Sequence, residues 1–164
     1  ILIRLEVFMQ RAFIDAYADG AGRLGAAIRG LSHADFAAFP IPGTWSIGQI
    51  VLHLMDSDLI GADRMKRVIA EDNPSLIGFD ESAFAKSLFY ERQDPFRAAE
   101  IFRMNREFTA IILHQLPDAA FDRAGIHNER GRLTLAELVR GFNHHLHHHL
   151  GFIERKRQLL GKAL

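Results

Sequence analysis

The chain contains no cysteine, which excludes disulfides, thiolate nucleophiles, iron–sulfur clusters and cysteine-ligated zinc. His, Asp and Glu are left as its only strong metal ligands, and a cysteine-free chain fits a cytoplasmic setting. No sign of charge dominates either: Lys plus Arg number 20 against 20 Asp plus Glu. There is therefore no electrostatic case for a nucleic acid or an anionic membrane as partner. The basic run Arg155, Lys156 and Arg157 reads as a solvated helix end. Charges interrupt every apolar run, so no membrane span is expected. The opening stretch Ile1–Gln10 carries Arg4 and Glu6 where a signal peptide needs a long apolar core, and reads as the first turns of a helix.

Proline is scarce, and the five residues present punctuate the chain rather than interrupt its periodic segments. Four long helices are legible between them. The first runs from about Leu5 to Arg29, with Leu5, Phe8, Met9, Phe13 and Ala16 at helical spacing and Gly30 and Ser32 closing it. A break at Pro40, Pro42 and Gly43 follows. The second helix starts at a capping box of Ser46 and Gln49, with Trp45 placed to staple it, and runs to about Glu71 before Asn73-Pro74. Residues Ser75 to Gln93 read as a partly helical connection. Asp94 and Pro95 open the third helix, which reaches about Gln115 ahead of Pro117. A loop containing Gly125 and Gly131 leads to a second capping box, Thr134 and Glu137, and a fourth helix to about Leu160. Strand signals of comparable strength are absent. The expectation is an all-α protein, one four-helix-bundle domain over residues 1–164. A chain of 164 residues buries a core without a structural metal, so any metal would serve chemistry.

Nine histidines offset the missing cysteines, and His144, His145, His147, His148 and His149 fall in one short run. An apolar helix continues on both sides, so this is no terminal tag. At roughly 100° per residue, with Phe142 at the origin, the apolar positions of the fourth helix cluster within roughly 60°. His149 lies near −20° and His145 near −60° on that rough wheel, both on the inward stripe, while His144, His147 and His148 point away. Two inward imidazoles at i, i+4 need partners, because burying them unpaired is costly. His53 sits at the margin of the second helix's apolar stripe, which permits it to reach a neighbouring helix without requiring it. His33, His114 and His127 fall in loops or helix ends and read as surface residues.

The stretch Pro42-Gly43-Thr44-Trp45-Ser46-Ile47-Gly48-Gln49-Ile50-Val51-Leu52-His53-Leu54-Met55-Asp56-Ser57 resembles the second-helix signature of the DinB/YfiT-like metalloenzymes. The segment His145-Leu146-His147-His148-His149-Leu150-Gly151-Phe152-Ile153 resembles that family's closing helix with its H-x-x-x-H motif. Element order and length match over nearly the whole chain. The resemblance implies a four-helix bundle in which one His of the second helix and two of the last hold zinc or nickel. Carried over, those positions are His53, His145 and His149, with His148 the rival for a place. It also implies a small-molecule substrate and a homodimer.

Three neutral imidazoles leave a divalent metal its full charge and an open position. The leading expectation is a thiol-dependent S-transferase acting on small electrophiles, since relatives implied by the resemblance use thiols such as bacillithiol and mycothiol. A second is a metal-dependent hydrolase with metal-activated water, for which Asp56 or Asp58 could act as base, although solvated carboxylates are the plainer reading of both. A third is a non-catalytic, stress-associated metal-binding protein. No catalytic residue beyond the metal ligands is assigned. Gly20-Ala21-Gly22-Arg23-Leu24-Gly25 matches G-x-G-x-x-G but follows a helical segment rather than a strand, so it is rejected as a dinucleotide loop. No compact basic recognition helix and no G-x-S-x-G elbow occur.

Overall fold

The computed structural model describes residues 2–164, with side chains from Ala12 onward. The apolar repeat of Leu5, Phe8 and Met9 therefore lies outside the described side chains. Four long helices carry the fold: α1 (Leu2–Ala27), α3 (Ile47–Ala70), α5 (Pro95–Gln115) and α6 (Leu135–Leu159). Two short ones, α2 (His33–Ala37) and α4 (Glu81–Ser87), lie in the connections. The helix starts follow side-chain chemistry. Ser46 and Gln49 satisfy each other's amides at the head of α3, and Thr134 and Glu137 do the same for α6. Asp94 caps α5, with Pro95 at a position that needs no donor. Ser32 and Asp35 form a third capping box, on α2.

The helices do not follow an up-down-up-down order. α1 packs on α5 and α6, and α3 packs on the same two, so α1 and α3 lie diagonally across the bundle. Side-chain contacts set the directions. Asn143 bonds the Phe13 carbonyl and Arg157 the Ala27 carbonyl, so α1 and α6 run parallel. Gly48 faces Pro95 and Asp58 meets Arg106, so α3 and α5 run parallel to each other. His53 meets His145 and Gly61 meets Phe142, so α3 runs against α6. Because α3 and α5 are parallel neighbours, the chain between them must travel back along the bundle. That return carries α4 and a 3-10 turn, and it passes over the face where α3 and α6 meet.

The connections also carry a small sheet for which the sequence shows no clear signal. Ser75–Leu76 (β1), Ala124–His127 (β2) and Gly131–Thr134 (β3) form a three-stranded sheet in the order β1-β2-β3. β1 pairs with β2 in parallel and β2 with β3 as a hairpin. Strands this short hold too few residues for a period of two to show in the sequence. Gly125 permits the close pairing, since a Cβ there would lie 2.8 Å from the Pro74 carbonyl oxygen. His127, expected at the surface, is buried, and its Nδ1 accepts a 3.1 Å hydrogen bond from the Glu129 amide. His33 and His114 are exposed as expected.

Two apolar clusters fill the bundle. One gathers Leu24, Ile50, Leu54, Phe102 and Ile153, the other Phe13, Met65, Leu113, Phe121 and Val139. Buried Asp58 and Arg106 sit between these groups: Arg106 Nε donates to Asp58 Oδ1 at 2.8 Å, and Asn105 Nδ2 donates to Oδ2 at 2.9 Å. The Arg106 guanidinium stacks over Tyr17 and Phe102 and donates to the Phe142 carbonyl, three residues before His145. Gly20 leaves the room: a Cβ there would stand 2.4 Å from Arg106 Nη1. The whole G-x-G-x-x-G stretch lies inside α1, so its first glycine serves packing rather than phosphate binding. No helix among the described residues is long and apolar enough to cross a membrane.

Candidate metal centre

α3 contributes one histidine and α6 two, on the faces these helices turn toward each other. His53 is fully buried, while His145 and His149 are half-buried one turn apart. His53 Nε2 lies 3.0 Å from His145 Nε2. The rings of His53 and His149 are 4.7 Å apart by centroid, and those of His145 and His149 4.5 Å. One nitrogen from each ring falls within 4.8 Å of the others. Tetrahedral zinc with bonds of about 2.0–2.1 Å would set its nitrogens about 3.3 Å apart, so small side-chain adjustments bring this set to ligation. Two Nε2 atoms face to face at 3.0 Å want either a shared proton or a cation between them. His149 Nδ1 is buried with no hydrogen-bond partner. The three residues fit a divalent transition metal.

Electrostatics point the same way. Burial, reinforced by His149, pushes the His53 imidazole down to about 4. Burial and the neighbouring His149 and His53 push His145 to about 3, and burial with His148 pushes His149 to about 4. All three rings are neutral at pH 7, the form that ligates. Ser57, one turn on from His53, places its hydroxyl against the edge of that ring, 3.4 Å from Nδ1 and 3.5 Å from Nε2. Trp45 packs on His53 with centroids 4.9 Å apart, and Phe79 approaches from the return segment at 6.5 Å. Phe142 and Phe152 flank His145 and His149. These rings form an aromatic collar around the three imidazoles.

The other histidines stay out. His144, His147 and His148 are exposed, and His148 meets Phe152 edge-on rather than joining the cluster. The expected carboxylates are not where a base is needed. Asp58 is buried and bound by Arg106 and Asn105, and half-buried Asp56 accepts a 2.6 Å bond from the Tyr90 hydroxyl. Neither is the solvated residue its position suggested. Two other carboxylates share a cleft of about 160 Å³ with His145 and Ser57: Glu137, which Thr134 engages in the α6 capping box, and Glu81 on α4. Nothing in the sequence pointed to Glu81, because only the folding-back of the 71–94 segment brings it to α6.

With this geometry in place, the DinB superfamily signature matches residues 16–153, a span that includes all three histidines. The chain belongs to the DinB superfamily. Among curated relatives, YfiT of Bacillus subtilis, named "putative metal-dependent hydrolase", is 27% identical over 73% of this chain and 67% of its own. A relative in Halalkalibacterium halodurans, given the same description, is 27% identical over 68% of this chain. The alignment spans 65% of that relative's length. The solved YfiT structure, described as a probable metal-dependent hydrolase with an unusual four-helix bundle topology, superposes with a TM-score of 0.86 at 22% identity. It covers 93% of this chain and 87% of YfiT. A mycothiol-dependent maleylpyruvate isomerase shares the fold with a TM-score of 0.69 at 10% identity, over 87% of this chain and 59% of that one. The expected four-helix bundle is therefore shown.

Proposed function

We propose that this DinB-superfamily chain is a metal-dependent S-transferase that joins a low-molecular-weight thiol to a small electrophile, with zinc or nickel held by His53, His145 and His149. The observation that carries the reading is the state of the carboxylates: Asp56 and Asp58, nearest His53 in sequence, are both engaged away from it. A divalent metal on three neutral imidazoles keeps its full charge and acidifies a thiol or water at its open position without help from a protein base. The net reaction forms a carbon–sulfur bond, expels the leaving group with its electron pair and releases the thiol proton to solvent. The chain's own residues hold and flank the site. Ser57 lies against the edge of the His53 ring, Arg106 pins α6 at the Phe142 carbonyl, and Trp45, Phe79 and Phe142 pack beside the cluster. A structural neighbour on the same fold is mycothiol-dependent, which supports thiol chemistry in a bundle of this kind.

The names of the relatives favour a second reading, metal-dependent hydrolysis, and Glu81 in the cleft beside His145 is the carboxylate that would serve as its base. Burial and neighbouring Asp80 raise the affinity of Glu81 for a proton, the direction a base needs. The two readings separate in one assay. Zinc- or nickel-loaded protein is mixed with monochlorobimane and bacillithiol, mycothiol or coenzyme A. Transfer predicts conjugate formation above the uncatalysed rate, abolished by chelation and by His145→Ala. Ester hydrolysis with no thiol present, lost in Glu81→Gln, would replace this reading with the second.

A further inference from the structure

The basic run at the end of α6 is not the solvated helix end that its sequence suggests. Arg155 is exposed, but Lys156 and Arg157 are buried. Arg157 Nη1 donates to the Ala27 and Arg29 carbonyls, where the C-terminal end of α1 offers partial negative charge. Lys156 is 2% exposed, and its one hydrogen bond goes from Nζ to Thr44 Oγ1 at 2.6 Å. Among the described residues no carboxylate lies within 4.0 Å of it. An ammonium carries three donors, and a buried cation without a counter-charge is costly. Burial duly pushes its proton affinity below the ordinary lysine range.

Lys156 lines a cavity of about 270 Å³ whose other walls include Ile41, Trp45, Ile50 and Phe152. His149 closes one side of it, and the only other charge in the lining is the Arg155 guanidinium. The cleft beside His145 lies toward the opposite end of α6 and differs in charge: there Arg64 and Arg130 are balanced by Glu81 and Glu137. The cluster thus has two approaches, one electrostatically balanced and one apolar with an uncompensated positive charge.

We propose that the cavity beside His149 binds the substrate's carboxylate, with Lys156 as its anchor, so that the electrophile is a small carboxylic acid with an apolar body. One buried ammonium balances one monoanion, the walls accept a hydrocarbon or aromatic body, and the far end reaches the histidine cluster. The inference names the substrate class of the transferase and rests on that reading.

Binding tests it without turnover. Trp45 is the sole tryptophan and lines the cavity, so its emission reports occupancy. Hexanoate and the neutral isostere hexanamide are titrated into chelated and zinc-loaded protein. Hexanoate should bind saturably and about tenfold tighter than hexanamide, the worth of one charge-assisted hydrogen bond. Lys156→Met should remove the preference, Lys156→Arg should retain part of it, and Lys66→Met, on the exposed side of α3, should leave it intact. Equal affinity for the two probes in wild type, no binding of either, or an undiminished preference in a folded Lys156→Met variant overturns the subsite. Those results leave the transferase reading standing, whereas absent thiol transfer with the preference intact overturns that reading alone.

Discussion

His53, His145 and His149 are held neutral by burial far below the pH at which free imidazoles protonate. That has a consequence for the metal-free protein. In the unfolded chain these rings titrate near about 6.5; in the folded chain they resist protonation until about 4, 3 and 4. Below about pH 6.5 the unfolded state binds more protons, so stability falls as pH falls toward 4, by at most about 1.4 kcal/mol per pH unit for each ring. Above 6.5 the effect vanishes. Thermal melts in chelator should therefore show Tm dropping between pH 7 and pH 5, with a smaller drop in His145→Phe. A Tm equally insensitive in both proteins would contradict the burial assigned here. The inward direction of His145 and His149 was legible from helix phase alone. That His53 would meet them was not, because its marginal place on α3 becomes a contact only when α6 packs against that face. Asp58 and Lys156 were not legible for the same reason. Asp58 looks solvated until Arg106 arrives from α5, and Lys156 until Thr44 does from the loop before α3.

Among the elements, the approach of α3 to α6 decides whether the cluster exists. At Gly61 a Cβ would lie 2.4–2.6 Å from three atoms of the Phe142 ring. A stiff ring cannot bend aside as a lysine tip would, so a methyl here must part the helices or displace Phe142 from beside His145. Gly61→Ala should cost about 1–3 kcal/mol in urea melts and weaken zinc retention against a competing chelator. Retention at the wild-type level would mean that the helix spacing does not set the ligand geometry. The four long helices were legible because each is punctuated: Ser46-Gln49, Asp94-Pro95 and Thr134-Glu137 mark starts that the structure places within a residue. The sheet was not, although it matters to the site. Asn128, in the β2–β3 turn, accepts a 2.7 Å hydrogen bond from the Gly78 amide and so anchors the backbone beside Phe79, which faces His53. Pairing between residues so distant in sequence leaves no local pattern.

At the scale of the whole molecule, the parallel runs of α1 with α6 and of α3 with α5 force the 71–94 segment to fold back over the α3–α6 face. That return supplies Phe79, Glu81 and Tyr90 to the surroundings of the cluster. The buried Asp58–Arg106 pair holds the centre of the bundle, and the cluster sits where two cavities approach it from opposite ends of α6. The proposed chemistry depends on one property, that the three histidines retain a metal. The direct measurement is metal content by inductively coupled plasma mass spectrometry on untagged protein. Wild type is compared with His53→Ala, His145→Ala and His149→Ala, and with a His144→Ala/His148→Ala control that removes the exposed pair. About one zinc or nickel per chain, lost in each of the three folded single variants and kept in the control, is the predicted result. Wild type that takes up no metal even after incubation with zinc and nickel, or metal lost only in the control, would contradict the account.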